Sequence, residues 1–400
     1  MFEETRQASR SPSQSSAPVF DRGLGTWLFD EQNRPYLDFF AGAGSLSYGH
    51  NNPALSQALA DYLACDRVIW APGLATAAKR DFCGAFEDLI LRPRRLEHEV
   101  HICRPGSSPL SLAVASARAH TGRQPIICFT SCFTGYRLGP VADGMDDGDA
   151  FPPADEPHRF PDGVLPHPSC LDGVLRGEGI LPAAVLVDTA QGDAGLCPVD
   201  LEWLAAVAAR CRRAGVLLIL DDTAMSCGRT GRFFSFEPAG LRPDFICLGS
   251  SLSGVGLPLN LLLSPPKLSP DERGDDAATS SEFALVAATA ALRLFWQGHG
   301  FERRCTELGL RLQGGLTKMA AASVGAVLAR GRGMVHGLVL AEAGAAGRVA
   351  QAAFDRGMLV ELAGTRGQVV KLQPPLTATS DEIDLGLAIL SESVAAALSG

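Results

Sequence analysis

Lysine is scarce in this chain. Its 400 residues include only Lys79, Lys267, Lys318 and Lys371, and none falls between positions 79 and 267. Any chemistry that needs a side-chain primary amine must draw on these four. Long apolar runs are also missing, and no stretch reaches the ~18 residues of a membrane span. The start, MFEETRQASRSPSQSSAPVF, has no charged-then-apolar leader pattern, so the expected location is cytoplasmic. Positive charge is in deficit. A net charge of −9 argues against nucleic acid as the main partner, because phosphate binding needs a basic face. The nucleophile elbow G-x-S-x-G is absent. GAGSLSYG and GRGMVHG both miss the G-x-G-x-x-G dinucleotide fingerprint. Cysteine is not scarce, but the eleven are odd in number and irregular in spacing. Cys128 and Cys132 form a C-x-x-x-C and His98 and His101 an H-x-x-H, neither with the second half of a structural zinc site. Free thiols, buried in settings such as PIICFT and DFICLG, are expected.

Hydrophobic content of 46% and charged content of 20% are ordinary for a globular protein with a large core. Residues 1–16 are polar and Ser-rich and are expected to form a flexible tail. TWLFDEQNRPYLDFF (26–40) alternates apolar and polar residues around a turn and predicts a hairpin. PALSQALADYLACDRV and AAKRDFCGAFEDLILRP are amphipathic helix patterns. From about residue 99, apolar strands (HEVHIC, PIICFT, AAVLVD, VLLILD, DFICLG, LPLNLLLS) alternate with helices such as LSLAVASARAHTG and DLEWLAAVAARCRRAG. Strands that are apolar throughout and separated by helices imply an α/β fold with a parallel or mixed sheet covered on both faces. Residues 138–180 read as a long acidic loop rich in Pro and Gly. After the helix FALVAATAALRLFW, the chain from 300 reads helix, strand, strand, helix, strand, strand, helix. The expected division is a tail (1–16), an N-terminal part of a small domain (17–70), a large domain (71–299) and a C-terminal small domain (300–400).

Several separate motifs occur in order: YLDFFAGAGSLSYGHNNP, KRDF, VLLILDDTAMSCGRTGRFFSFEPAGLRPDFICLGSSLSGVGLP and VVKLQPPLT. Together they resemble the class III pyridoxal-phosphate aminotransferases over nearly the entire chain, diaminobutyrate–2-oxoglutarate aminotransferases most of all. The resemblance implies fold type I, with a large mixed-sheet domain and a smaller α+β domain. It also implies a homodimer with sites at the interface, and an amino or keto acid as substrate.

Asp221 ends a strand, where α/β sheets place ligand-binding residues. By the resemblance it holds the pyridine nitrogen of the cofactor. Gly106, Ser107 and Ser108 precede a helix that Pro109 can begin, a natural phosphate site through free N–H groups; Ser108 as a plain N-cap is compatible with this. Phe133 matches the aromatic that stacks on the ring. Thr279 is the candidate for the threonine that reaches the phosphate across a dimer interface. Lys371 stands where the family has a basic residue near the substrate carboxylate, and it also reads as a lysine at a strand edge. Arg229 is expected to be structural or at an interface.

The reactive end departs from the family. Ser250 occupies the place of the lysine that holds the cofactor as an imine. A serine hydroxyl can neither form that bond nor act as a free base. Ala224 stands where the family usually has Gln, Thr134 where a His is common, and Thr223 where an apolar residue packs under the ring. The reading that follows is a divergent aminotransferase-like protein. It binds pyridoxal or pyridoxamine phosphate non-covalently, and ordinary transamination is absent or severely reduced. Two alternatives remain: a catalytically silent partner or scaffold subunit for an active aminotransferase, and a cofactor-free enzyme reusing the pocket.

Overall fold

The computed structural model describes residues 18–71, 73–103, 108–129, 167–175, 181–190, 196–270, 281–364 and 366–399. The chain opens with an antiparallel meander of β1 (Phe20–Leu24), β2 (Trp27–Asp30) and β3 (Pro35–Asp38). Asp30 closes the hairpin turn by accepting from the backbone N–H groups of Gln32 and Arg34 at 3.0 and 2.8 Å. Helices α1 (Pro53–Ala64) and α2 (Ala77–Phe86) follow. Asn52 and Thr76 cap them by accepting from Ala54 N–H and Lys79 N–H, which satisfies donors that a helix start leaves open.

The central sheet is built from β4 (Glu99–Ile102), β5 (Ile126–Phe129), β6 (Ala184–Asp188), β7 (Leu217–Asp221), β8 (Phe245–Leu248) and β9 (Leu261–Ser264), in the order β4-β9-β8-β7-β6-β5. Strands β5 to β8 run parallel, and β9 runs antiparallel to both β8 and β4, so the sheet is mixed. Alternate residues serve two cores. Leu186, Ile219, Phe245 and Cys247 pack with Ala113, Val114 and Ala117 of α3 (Pro109–Thr121). Val187, Leu218, Leu220 and Ile246 pack with Leu204, Val207 and Cys211 of α5 (Leu201–Ala214). A short helix α4 (Leu171–Leu175) packs beside α5. The rest of the expected long loop over 138–180 lies largely outside the described residues.

Helices α6 (Glu282–Phe295) and α7 (Gly300–Ala322) lead to strands β10 (Val327–Arg332) and β11 (Val335–Leu340), then helix α8 (Ala345–Asp355). Strands β12 (Met358–Leu359), β13 (Glu361–Ala363) and β14 (Val369–Leu372) and helix α9 (Ser380–Leu398) end the fold. Three strands stand here where two are expected. The chain changes sheets at Val360: β12 pairs in parallel with β3, whereas β13 joins the antiparallel sheet β10-β11-β14-β13. Among the described residues no helix is long and apolar enough to cross a membrane. None of the described cysteines is in a disulfide; Cys247 is buried as expected, but Cys128 is exposed.

A buried ionic knot ties α7 to the central part of the fold. Glu302 takes Arg94 Nη2 at 2.5 Å, Arg232 Nη1 at 2.9 Å and His299 Nδ1 at 2.9 Å, and Arg94 Nε also reaches Glu237 at 2.7 Å. Burial alone would raise the Glu302 carboxyl, but His299, Arg94 and Arg232 more than offset this and hold it below its usual range. Glu302→Ala leaves Arg94 half-compensated in the interior and is expected to cost about 3 kcal/mol in urea unfolding. Because the folded-state value is depressed, the contribution is full above the ordinary glutamate range and fades as pH falls through the lowered value. The gap between parent and variant should therefore shrink in acid.

Candidate active site

The carboxyl ends of the parallel strands β6 and β7 each carry an acid. In register, Asp188 lies beside Asp221, which lies beside Cys247. By alternation all three stand on the α3 face of the sheet. The tight turn after α3 returns the chain directly to the start of β5, so the N-terminus of α3 is level with the opposite, carboxyl ends of the strands. Ser108 caps that terminus, its hydroxyl accepting from Leu110 N–H at 3.2 Å. The fold thus brings Ser108 and Asp221 to one end and one face of the sheet.

Asp221 and Asp222 are neighbours in sequence with opposite surroundings. Asp222 is fully buried and saturated: it accepts from Thr189 Oγ1 at 2.8 Å, from Ser235 N–H at 2.9 Å and from the Ser235 hydroxyl. Burial still pushes its carboxyl up to about 6, against the pull of those hydrogen bonds. Asp221 accepts only at Oδ1, from Thr223 Oγ1 at 2.6 Å and Thr223 N–H at 3.1 Å. Among the described residues no donor reaches Oδ2 and no cation pairs with the group. Burial raises its carboxyl, and Thr223 offsets only part of this. A desolvated carboxylate with one open oxygen at a strand end is well suited to a cationic N–H ligand.

Four distant sequence motifs converge beside it. Gly249 follows β8 and lies against Thr223: a Cβ there would lie 2.9 Å from the Thr223 carbonyl oxygen. Ser250 opens the short 3-10 turn Ser250–Leu252 that follows. The Ser47 hydroxyl donates to the Ser251 carbonyl at 3.2 Å, and Leu376 N–H to the Ser47 carbonyl at 2.8 Å. The loop 39–48 can reach this position because Gly44 has φ +85°, and a Cβ at that position would collide with Gln373. Arg229 is buried at the centre of this junction and donates to the carbonyls of Pro374, Gln373 and Gly44. Burial pulls its guanidinium down to about 10. Its role is structural, holding AGAGSLSYG, CGRTG and QPPLT together.

Of the remaining expected site residues, Ala224 is exposed in the turn after β7. Lys371 sits on β14, with Nζ 3.0 Å from Glu361 Oε2 on the neighbouring strand. Gly106, Ser107, Phe133, Thr134 and Thr279 lie outside the described residues. All four lysines are described. Lys79, Lys267 and Lys318 are exposed on α2, a 3-10 turn and α7, and Lys371 is half-buried in its ion pair. His98 and His101 turn to the Pro243 carbonyl and the Ser264 hydroxyl, and no described group of three or more His, Cys, Asp or Glu is placed to hold a metal. Sequence reasoning missed Asp188, although AAVLVD ends in an acid as VLLILD does. It also missed Glu361, whose pairing depends on long-range register.

The family profile described as "Aminotransferase class-III" matches residues 9–153 and 177–394. This chain belongs to the class III aminotransferases. It is 41% identical over 413 residues to the diaminobutyrate–2-oxoglutarate transaminase of Streptomyces avermitilis, covering 98% of this chain and 97% of that protein. Among solved structures, N-acetylornithine aminotransferase from Stenotrophomonas maltophilia K279a superposes with a TM-score of 0.74 at 24% identity over 100% of both chains. Ornithine aminotransferase from Toxoplasma gondii superposes with a TM-score of 0.78 at 21% identity, covering 100% of this chain and 94% of that one, and its structure records partial occupancy of PLP at the active site. The architecture of this class III aminotransferase is accordingly α/β, fold type I, as the sequence motifs imply.

Proposed function

We propose that this class III aminotransferase binds pyridoxal or pyridoxamine phosphate without a covalent link, and that ordinary transamination is absent or severely reduced. The observation that carries this is the placement of its amines. Three lysines are exposed and the fourth is ion-paired, while Ser250 follows β8 where the family resemblance calls for lysine. The rest of the site fits the cofactor. Asp221 offers an open, desolvated carboxylate oxygen for a ring N–H, and the start of α3, where Ser108 takes Leu110 N–H and Pro109 has none, leaves Ser111 N–H and the helix dipole for a phosphate. When bound, the cofactor would supply the electron-withdrawing ring that makes amine chemistry accessible. The chain's own contribution is to keep that ring nitrogen protonated and to anchor the phosphate. Phe133 as the stacking aromatic, Gly106 and Ser107 at the phosphate, Thr279 across a dimer interface and Ala224 beside the phenolic oxygen belong to the same reading. So do a cytoplasmic location and the division of the chain near residues 70 and 300.

The substrate class is that of a diamino acid such as diaminobutyrate, supported by 41% identity to the Streptomyces avermitilis enzyme. A second reading, a silent subunit that partners an active aminotransferase, is compatible with one feature. Leu63, Val68, Ile69, Trp70 and Leu74 are all exposed in and after α1. So dense an apolar segment marks an interaction surface, and a homodimer would cover it equally well.

The test is a pyridoxal phosphate titration followed by visible absorbance, then borohydride reduction and mass measurement. The expected result is saturable binding, full release of cofactor on denaturation, and after reduction only scattered, substoichiometric labelling of the exposed Lys79, Lys267 and Lys318, which any aldehyde attacks. One cofactor per chain fixed on a single lysine would overturn the non-covalent reading. Failure to bind at all would favour the silent subunit.

A further inference from the structure

Thr223 makes a contact that an apolar residue could not make. By the family resemblance this position packs a hydrocarbon side chain under the ring; here it carries a hydroxyl. Thr223 Oγ1 donates to Asp221 Oδ1 at 2.6 Å, and Thr223 N–H donates to the same oxygen at 3.1 Å. The N–H bond is the local turn that an aspartate forms with the backbone two residues on, and any residue except proline could supply it. The hydroxyl bond depends on the side chain alone.

The surroundings leave these groups little freedom. Thr189 N–H and Thr189 Oγ1 both donate to the Asp221 carbonyl at 3.0 Å, and Asp222 N–H donates to the Cys247 carbonyl at 3.0 Å, so the backbone on both sides of Asp221 is pinned. Gly249 packs against Thr223, and a Cβ there would lie 3.1 Å from Thr223 Cβ. With both donors on Oδ1, the plane of the carboxylate is set and Oδ2 is the oxygen left open. Asp221 stays partly accessible, so a ligand can reach that oxygen. The titratable groups beside it are Asp188 on β6, Cys247 on β8 and Asp222 in the chain, and none of them is a cation. Among the described residues Thr223 is the one whose side chain hydrogen-bonds the charged form of Asp221. A carboxylate that already accepts a short hydrogen bond is a weaker base.

We infer that Thr223 is a positioning residue: its hydroxyl holds the Asp221 carboxylate ionised with Oδ2 outward, so that a proton shared with the cofactor's ring nitrogen stays on the nitrogen. This rests on the proposed cofactor site and deepens it. In a site without a covalent anchor, the charged contact between ring and Asp221 carries more of the binding, and Thr223 sets the charge on its protein side.

The test compares the parent with Thr223→Val, which keeps the shape and the N–H bond and removes the hydroxyl, and with Thr223→Ser, which returns the hydroxyl. In the cofactor-free chains, infrared difference spectra with isotope-labelled aspartate, assigned by Asp221→Asn, follow the Asp221 carboxyl as pH is varied. Thr223→Val is expected to make it about tenfold weaker as an acid, as loss of one hydrogen bond to a charged group gives. Nitrogen NMR of bound, ring-labelled pyridoxamine phosphate, which has no aldehyde, then reports where the shared proton sits. The parent should give a protonated ring. Thr223→Val should lower the ratio of protonated to unprotonated ring about tenfold, and Thr223→Ser should restore it. A Thr223→Val chain whose carboxyl or ring signal matched the parent's would overturn the inference. So would a change that Thr223→Ser failed to reverse, because the hydroxyl would then not be its cause. If the parent bound no pyridoxamine phosphate, the cofactor reading would fall and this inference with it; binding with unchanged signals would bring down the inference alone. Equal melting temperatures of the three chains are expected, so that the spectral changes are read on folded protein.

Discussion

Asp221→Ala is expected to weaken pyridoxal phosphate binding by about a hundredfold or more, the scale of truncating one partner of a buried charged hydrogen bond. The fold should not suffer. Among the described residues Asp221 is a desolvated carboxylate with only Thr223 as partner, and burial raises its carboxyl, so removing it deletes a cost rather than a support. Thermal denaturation without cofactor should show a melting temperature equal to or above that of the parent. Asp222→Ala is the contrast. It strips the acceptor from Ser235 N–H, the Ser235 hydroxyl and Thr189 Oγ1 inside the core, and should cost about 3 kcal/mol. Two adjacent aspartates would thus separate into one that matters for binding and one that matters for stability. If Asp221→Ala bound cofactor as the parent does, the assigned ring-nitrogen partner would be wrong.

The reason these two acids differ is partly visible in the sequence. VLLILDD is apolar on both faces up to its end, so the strand and the position of the acids at its carboxyl end can be read directly. Which acid faces α3 cannot, because alternation gives opposite faces to neighbours and only the packing of Ile219 against α3 fixes the phase. The same limit explains other differences. β1 escapes notice because FDRGL is almost wholly exposed and has no buried face to pattern. Residues 358–363, MLVELA, hold one charge at Glu361 and no turn residue, so nothing local marks a break at Val360, yet β3 claims the first half and β14 the second. A helix start is legible where a side chain does the capping, as at Ser108, which reads as an N-cap and accepts from Leu110 N–H at the start of α3. Pairs made by long-range register, such as Lys371 with Glu361, leave no local trace at all. The motif order identified the family because glycines such as Gly44 and Gly249 sit where backbone meets side chain at close range, and those positions tolerate little change.

With diaminobutyrate, 2-oxoglutarate and pyridoxal phosphate, turnover is expected to fall about ten-thousand-fold or more below that of a lysine-bearing relative. Loss of a positioned general base alone accounts for up to about four orders of magnitude, and the covalent anchor is lost with it. None of the four lysines stands in for it. Lys79, Lys267 and Lys318 are exposed on outer elements, and Lys371 is engaged by Glu361 on a different sheet. Turnover at the rate of a lysine-bearing relative, read by glutamate formation, would refute the reading outright. The variant Ser250→Lys then separates attachment from catalysis. Position 250 begins the turn directly after β8, beside the strand that ends in Asp221, so the backbone is in place for a lysine to reach the cofactor. Borohydride reduction should now leave a cofactor-sized mass on the chain. Turnover should nonetheless recover to less than roughly a hundredth of a normal rate, because residues that act as a unit do not restore function singly. Ala224 offers only a methyl group where the resemblance calls for a Gln amide, and Thr223 spends its hydroxyl on Asp221. Full recovery from the single change would mean that Ser250 is the only meaningful departure, and that the altered neighbours are neutral.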